Sequence, residues 1–170
     1  VPMGKLRDKG TPVDNLCNFD SSKESIVALV PLKELTGNWL LFVTEKAMMK
    51  MVEADEFIVS KRTIAATKLN DGDKVLAVLH FPAMAYTGED TIVLKSRDGY
   101  FLRFPMEQIT VKKKGAVGVR GMKLTDGDEI QEIFFPEKMD NPVLLYKEKE
   151  LDLKKLKLAV RDGKGTKVRR

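Results

Sequence analysis

The chain has 170 residues, 43% of them hydrophobic, and a formal net charge of +5. It is long and apolar enough to bury a core, which excludes a disordered chain. No apolar run nears the ~20 residues of a membrane span, Val1 to Gly10 lacks the apolar stretch of a signal peptide, and one cysteine allows no internal disulfide; these features fit a reducing cytoplasm. In chain order, Val1 to Phe19 reads as a basic connection and a first strand, with Cys17 as a small buried residue in it. Short, branched or aromatic runs then predict strands at Ile26–Val30, Trp39–Val43, Val75–Leu79, Thr91–Leu94 and Ile130–Phe135. Tyr100–Phe104 and Leu151–Leu153 alternate more and read as half-buried strands. Trp39 sits in an apolar run and reads as core. Asp98-Gly99 is a strong hairpin signal. Lys46-Ala47, its counterpart, lacks the glycine and predicts another or longer turn. Glu53–Phe57 and Pro105–Ile109 each suit a single helical turn, with Pro105 at its first position.

These elements recur. Thr44–Lys50 lies over Ser96–Leu102 at a spacing of 52 residues, and Lys68–Val75 over Lys123–Ile130 at a spacing of 55. Each unit reads as a basic connection, an Asp-Gly-Asp turn, a strand, a hairpin and a short turn, which is one four-stranded blade. Such a period marks a propeller-like or solenoid array, in which no repeat buries its apolar face alone. The chain holds about three units, with connections near 5–19, 61–75, 112–130 and 161–170. It reads as one all-β module over 1–170, with strand edges to cover at both ends. The isolated chain is expected to be a monomer or a weak dimer.

Charge follows the same period. Residues 111–124 carry Lys112, Lys113, Lys114, Arg120 and Lys123 and no acid, and 154–170 carry eight cations against Asp162 alone. The remainder is therefore acidic, and so directed a field suits a polyanion. Gly115, Gly118 and Gly121 interleave with cations, so backbone N–H groups and charges could lie along a phosphate chain. The candidate binding residues are Lys112, Lys113, Lys114, Arg120 and Lys123, with Lys61, Arg62 and Lys68 one repeat earlier, and Arg161, Lys164, Lys167 and Arg169 one later. Arg7 and Lys9 form the weakest set. The competing reading is a propeller-like protein-docking scaffold whose basic connections are solvated surface.

Catalytic and metal chemistry find no support. Asp71-Gly72-Asp73 and Asp126-Gly127-Asp128 lack the further ligands of a calcium loop and read as type I or II turns. His80, the only histidine, has no Cys or carboxylate motif around it. Gly163-Lys164-Gly165-Thr166 lacks the spacing of a phosphate loop. Tyr86, Tyr100 and Tyr146 have no supporting catalytic pattern. No cofactor is expected.

Three stretches carry a resemblance: Arg7–Leu16, Gly115–Asp128 and Arg161–Lys167. With the two Thr/Ser-led hairpins, they resemble the C-terminal domain of bacterial type IIA topoisomerase A subunits, a family that includes those of gyrase and topoisomerase IV. Gly115–Asp128 is the most specific, through its Ala-x-Gly-Val-x-Gly-x-x-Leu-x-x-Gly-Asp spacing, and the resemblance covers essentially the whole chain. It implies a β-pinwheel of about five or six blades that exchange strands. The basic rim of such a wheel binds and bends duplex DNA. The partners implied are duplex DNA, the ATPase subunit, and the rest of the topoisomerase's own A subunit, in the cytoplasm at the nucleoid. The cleavage tyrosine, magnesium site and ATPase lie elsewhere in the holoenzyme, so the module is no enzyme by itself. Gyrase carries a box close to Q-R-R-G-G-K-G. Arg161–Lys167 keeps its Gly-x-Gly and its basic character but not its sequence, so gyrase-like and topoisomerase IV-like subunits are equally open. Three units are fewer than the family's wheel contains, which fits a piece of a longer chain, a small wheel or half of a paired assembly.

Overall fold

The computed structural model describes residues 7–85 and 88–168. Among them are ten strands: β1 (Trp39–Thr44), β2 (Met48–Glu53), β3 (Val75–Phe81), β4 (Thr91–Ser96), β5 (Tyr100–Pro105), β6 (Val119–Arg120), β7 (Ile130–Phe134), β8 (Val143–Tyr146), β9 (Lys149–Asp152) and β10 (Thr166–Lys167). The only helical segments described are single 3-10 turns, so the all-β expectation holds.

Two four-stranded antiparallel sheets run in the orders β3-β1-β2-β6 and β7-β4-β5-β10, and β8-β9 forms a two-stranded hairpin. The pattern is the same in both blades, but it differs from the unit read in the sequence. The strand after each Asp-Gly-Asp turn pairs back onto the preceding hairpin, β3 on β1 and β7 on β4. Each fourth strand comes from the connection that follows the next hairpin. Period alone could not reveal this, because it is unchanged by shifting the unit boundary along the chain.

Successive strand residues point to opposite faces, and here both faces are buried. Leu41 and Val43 of blade one meet Ile92, Leu94 and Phe104 of blade two in the largest cluster. Leu40, Phe42 and Val52 cover the other face of blade one with Leu35 and Val30. Val93 and Phe101 of blade two pack against Leu144, Tyr146 and Leu153. Strands covered twice need no polar alternation, hence the continuous run Trp39–Val43. Each fully buried aliphatic side chain contributes about 1.5–3 kcal/mol. Trp39 itself is half-buried at the margin of the core.

The second aspartate of each Asp-Gly-Asp triplet explains the motif. Asp73 Oδ1 accepts from the backbone N–H of Lys46 (3.0 Å) and of Lys74 (2.8 Å). Asp128 Oδ1 accepts from Asp98 (3.0 Å) and Glu129 (2.9 Å). Each carboxylate thus fastens the turn of its own blade's hairpin to the incoming strand. The triplet is a type II-like turn, with Asp73 N–H on Asn70 O and Gly72 at φ +68°.

Several expectations are corrected. Ile26–Val30 forms no strand, because no hairpin among the described residues lies beside it. No strand is described between residues 7 and 38, and Cys17 is exposed, its Sγ donating to Val13 O. The Lys46-Ala47 turn is neither longer nor different: Ala47 adopts φ +64° and closes the same turn as Gly99. Leu151–Leu153 is split, β9 ending at Asp152 and a 3-10 turn beginning at Leu153. Pro105 precedes its 3-10 turn (Met106–Gln108), and the turn after Glu53 spans Ala54–Phe57. Tyr86 lies outside the described residues, as does Val1 to Leu6 of the first connection.

Candidate nucleic-acid interface

The third and fourth basic connections follow one path on consecutive blades. Val111 bridges Met51, then Val119 and Arg120 pair with Met49 and Met48. One blade later Leu158 bridges Arg103, then Thr166 and Lys167 pair with Phe101 and Tyr100. In each, one glycine at positive φ crosses a strand carbonyl. A Cβ on Gly118 (φ +105°) would stand 2.3 Å from Met49 O, and one on Gly165 (φ +76°) 2.6 Å from Phe101 O. Only glycine fits such an approach. The connections therefore occupy the same edge of each blade, and their cations recur there.

Lys112 and Lys113 are exposed on that edge; Lys113 Nζ lies 3.4 Å from Glu56 Oε1. Lys114 is half-buried and tied inward, its N–H donating to Glu56 Oε2 (3.0 Å) and its Nζ to Glu56 O (3.0 Å). The Lys114 N–H, more than the two lysine charges, holds the Glu56 carboxyl below its ordinary range despite some desolvation. Arg120 grips Asp162 with two donors, Nη2 to Oδ2 at 3.0 Å. That bond depresses the Asp162 carboxyl and raises the guanidinium further. Arg161 Nη1 donates to Arg120 O (2.5 Å), and Lys123 N–H to Gly163 O (2.9 Å). Arg120, Lys123 and Arg161 from two connections thus surround one carboxylate. Lys164 and Lys167 stand 5.5 and 5.1 Å from the Tyr100 ring centroid.

Lys61, Arg62 and Lys68 are exposed on the extended segment before β3, where Thr67 Oγ1 donates to Ala116 O (3.4 Å). Arg169 lies outside the described residues. No group of three or more His, Cys, Asp or Glu that could hold a metal occurs among the described residues. His80 Nε2 instead lies 2.8 Å from Glu34 O.

Sequence reasoning missed Lys50. It is wholly buried, and its ammonium donates to Lys114 O (2.5 Å) and Ala116 O (2.7 Å) over the Phe42 ring. Burial lowers its pKa, against the opposing charge of Glu56. It anchors the Lys112–Gly118 loop from beneath. One lysine inside Met48-Met49-Lys50-Met51-Val52 was the available signal. Blade two uses Arg103 comparably: its Nη1 donates to Lys154 O (2.5 Å), and it also bonds Thr91 and Glu137.

The family described as DNA gyrase C-terminal domain, beta-propeller, matches residues 38–82 and 90–135. The chain belongs to this family. The two matched stretches begin at β1 and β4 and end after β3 and β7, so each spans a hairpin and the strand that returns to it. The chain is 30% identical to the DNA gyrase A subunit of Lawsonia intracellularis (strain PHE/MN1-00), over 97% of this chain and 20% of that protein. It is 30% identical to the DNA gyrase A subunit of Chlamydia muridarum (strain MoPn / Nigg), over 76% of this chain and 15% of that one. A solved C-terminal domain of DNA topoisomerase IV superposes with a TM-score of 0.82 at 23% identity, over 98% of this chain and 52% of that one. A solved DNA gyrase A C-terminal domain gives 0.72 at 24%, over 94% and 53%. The chain thus spans a fifth or less of these curated relatives and about half of these solved domains. The resemblance and the propeller-type fold read from the sequence both hold. No helix among the described residues is long and apolar enough to cross a membrane.

Proposed function

We propose that this chain is a non-catalytic DNA-binding and DNA-bending module of a bacterial type IIA topoisomerase, part of its A-type polypeptide, and that it acts as one unit over residues 1–170. The observation that carries the reading is the recurrence of cations on one edge of consecutive blades, where glycines bring backbone against backbone. Duplex DNA laid along that edge meets Lys112, Lys113, Arg120, Lys123, Lys164 and Lys167 in turn. Lys61, Arg62 and Lys68 extend the track on one side, Arg161 joins Arg120 within it, and Lys114 sets the loop; Arg169 is carried by its sequence position alone. Phosphate contacts of this kind position DNA without reading its sequence. The module would work with the ATPase subunit, and with the rest of its own polypeptide, at the nucleoid.

Gel-shift and bending assays on duplexes of random sequence test this. The expected result is binding that weakens steeply with salt and shows little sequence preference. An absence of duplex binding would favour the docking-scaffold reading.

A further inference from the structure

The third and fourth basic connections align residue by residue. Val111 and Leu158 open them, Val119 and Thr166 close them, and the spacing is 47 residues at both ends. They share three kinds of bond. Lys112 N–H donates to Met51 O (2.8 Å) and Ala159 N–H to Arg103 O (2.9 Å). Ala116 N–H donates to Lys113 O (3.0 Å) and Gly163 N–H to Val160 O (3.3 Å). Lys114 N–H donates to Glu56 Oε2 (3.0 Å) and Arg161 N–H to Gln108 Oε1 (2.7 Å). The two loops therefore follow one backbone course.

They part at two positions. In blade two, Gly163 O accepts from Lys123 N–H (2.9 Å), and Asp162 N–H donates to Gly121 O (2.8 Å). In blade one the counterpart of Gly163 O is Ala116 O. It accepts from Lys50 Nζ (2.7 Å), which also donates to Lys114 O (2.5 Å). Blade two has Leu102 in the place of Lys50 and so lacks this ammonium. A trans peptide points its N–H opposite to its C=O, and no cis peptide is present. With the carbonyls of Lys114 and Ala116 drawn onto Lys50, the N–H groups of Gly115 and Val117 point away from it. Neither N–H has a bond among the described residues, and Gly115 is exposed.

Gly115 is the counterpart of Asp162. In blade two this corner of the loop thus carries an anion of its own, the Asp162 carboxylate, gripped by Arg120 and faced by Arg161 and Lys123. In blade one the same corner has no side chain, and a Cβ there would meet nothing within 4 Å. Arg161 and Lys123 have counterparts in Lys114 and Lys68, while Arg120 has Ala65. Lys112 and Lys113 stand exposed beside the corner.

We propose that the Gly115 and Val117 amides form a seat for one phosphate of the DNA backbone, and that Lys50 is the residue that positions them. Backbone N–H groups turned the same way make an anion-binding concavity, and Lys112 and Lys113 add charge at its rim. Blade one holds this corner open, whereas blade two fills it with Asp162. The seat's place on DNA rests on the binding role proposed above; its affinity for phosphate does not.

Amide NMR of the isotope-labelled chain tests the seat, first with inorganic phosphate, which asks nothing of DNA. The Gly115 and Val117 amide protons should move downfield with phosphate and stay in place with chloride at equal ionic strength. A short duplex of random sequence should move them the same way. Lys50→Met should shrink both responses while the rest of the spectrum keeps its dispersion. Gly115→Asp sets a carboxylate where Asp162 stands one blade later, and should weaken duplex binding about tenfold or more in a gel shift. Gly115→Asn, of the same size without the charge, should cost several-fold less. Both side chains enter open space, so the fold is kept, as circular dichroism would verify. Gly115 and Val117 amides that ignore phosphate overturn the seat, whether or not duplex binds. Shifts with phosphate but not with duplex overturn its place on DNA, and a duplex that still binds in the gel shift would then leave the DNA reading standing. Equal losses in Gly115→Asp and Gly115→Asn overturn the seat as well.

Discussion

Ala47 holds, at φ +64°, the turn position that Gly99 holds at +81° one repeat later. In both turns the N–H of that residue donates to the carbonyl three residues back, at 3.0 Å. The next N–H donates to a hydroxyl: Met48 to Thr44 Oγ1 at 2.9 Å, Tyr100 to Ser96 Oγ at 3.3 Å. The left-handed conformation costs a non-glycine residue about 1–2 kcal/mol. Relief of that cost in Ala47→Gly is offset by the entropy of the unfolded chain, ~0.4–1 kcal/mol, and by one buried methyl, ~0.8 kcal/mol. We expect Ala47→Gly to change stability by less than about 1 kcal/mol in urea denaturation. Gly99→Ala should cost roughly 2 kcal/mol or more. Its Cβ would stand 2.2 Å from the hydroxyl of Tyr146, whose ring is packed edge-on against Phe101.

Lys50 gives a pH test with a defined sign. Its folded pKa lies below its ordinary value because of burial. Between the two values the unfolded chain binds the proton and the folded chain does not, so stability rises with pH through that alkaline window. The melting temperature of the native chain minus that of Lys50→Met should therefore increase from neutral pH towards the ordinary lysine pKa. A flat or falling difference would show that the ammonium bears no desolvation penalty.

Arg120 is held by Asp162, so part of the basic edge is neutralised within the fold. Asp162→Asn should leave Arg120 free and strengthen duplex binding several-fold in a gel shift. The stability cost should stay under about 1 kcal/mol, because exposed ion pairs contribute little. Unchanged or weaker binding would place Arg120 off the DNA track.

Salt dependence measures the track as a whole. With four to six phosphates neutralised, the log–log slope of affinity against salt should be roughly −3 to −6. Replacing Lys113, Arg120 and Lys123 together with alanine should flatten the slope and keep the fold. Replacing Lys46 or Lys138 should do less, since Lys46 Nζ donates to Asp71 O (2.9 Å) and Lys138 pairs with Asp90 (3.0 Å). Equal losses in both sets would move the DNA elsewhere.

The repeat, the hairpins and the edge cations were legible because each leaves a local mark: Asp-Gly, Asp-Gly-Asp, or a cluster of Lys and Arg. Strand partners were not, because pairing depends on what comes to lie alongside. Val75–Phe81 and Ile26–Val30 have similar composition, yet one pairs with β1 and the other stays unpaired. Lys114 and Arg120 read as free surface charges, since sequence does not show that Glu56 and Asp162 come to meet them. Lys50 was hidden by its type, because a lysine reads as surface until its carbonyl partners are known. Ala47 departed from the turn rule through burial: it is 0% exposed, and Gly121 N–H donates to its carbonyl at 2.7 Å.

The borrowed fourth strands set a schedule for synthesis. Blade one has its hairpin once Glu53 is out of the ribosome and its returning strand once Phe81 is out. Its last strand is β6, which arrives only with Arg120, after the whole hairpin of blade two. Blade two in turn waits for Lys167. Each nascent blade is thus left with an unpaired edge while its neighbour is being made. That edge carries Lys50 beneath and receives Arg120 last, so the lysines arriving just ahead of β6 would keep growing chains apart by charge repulsion until the edge is closed.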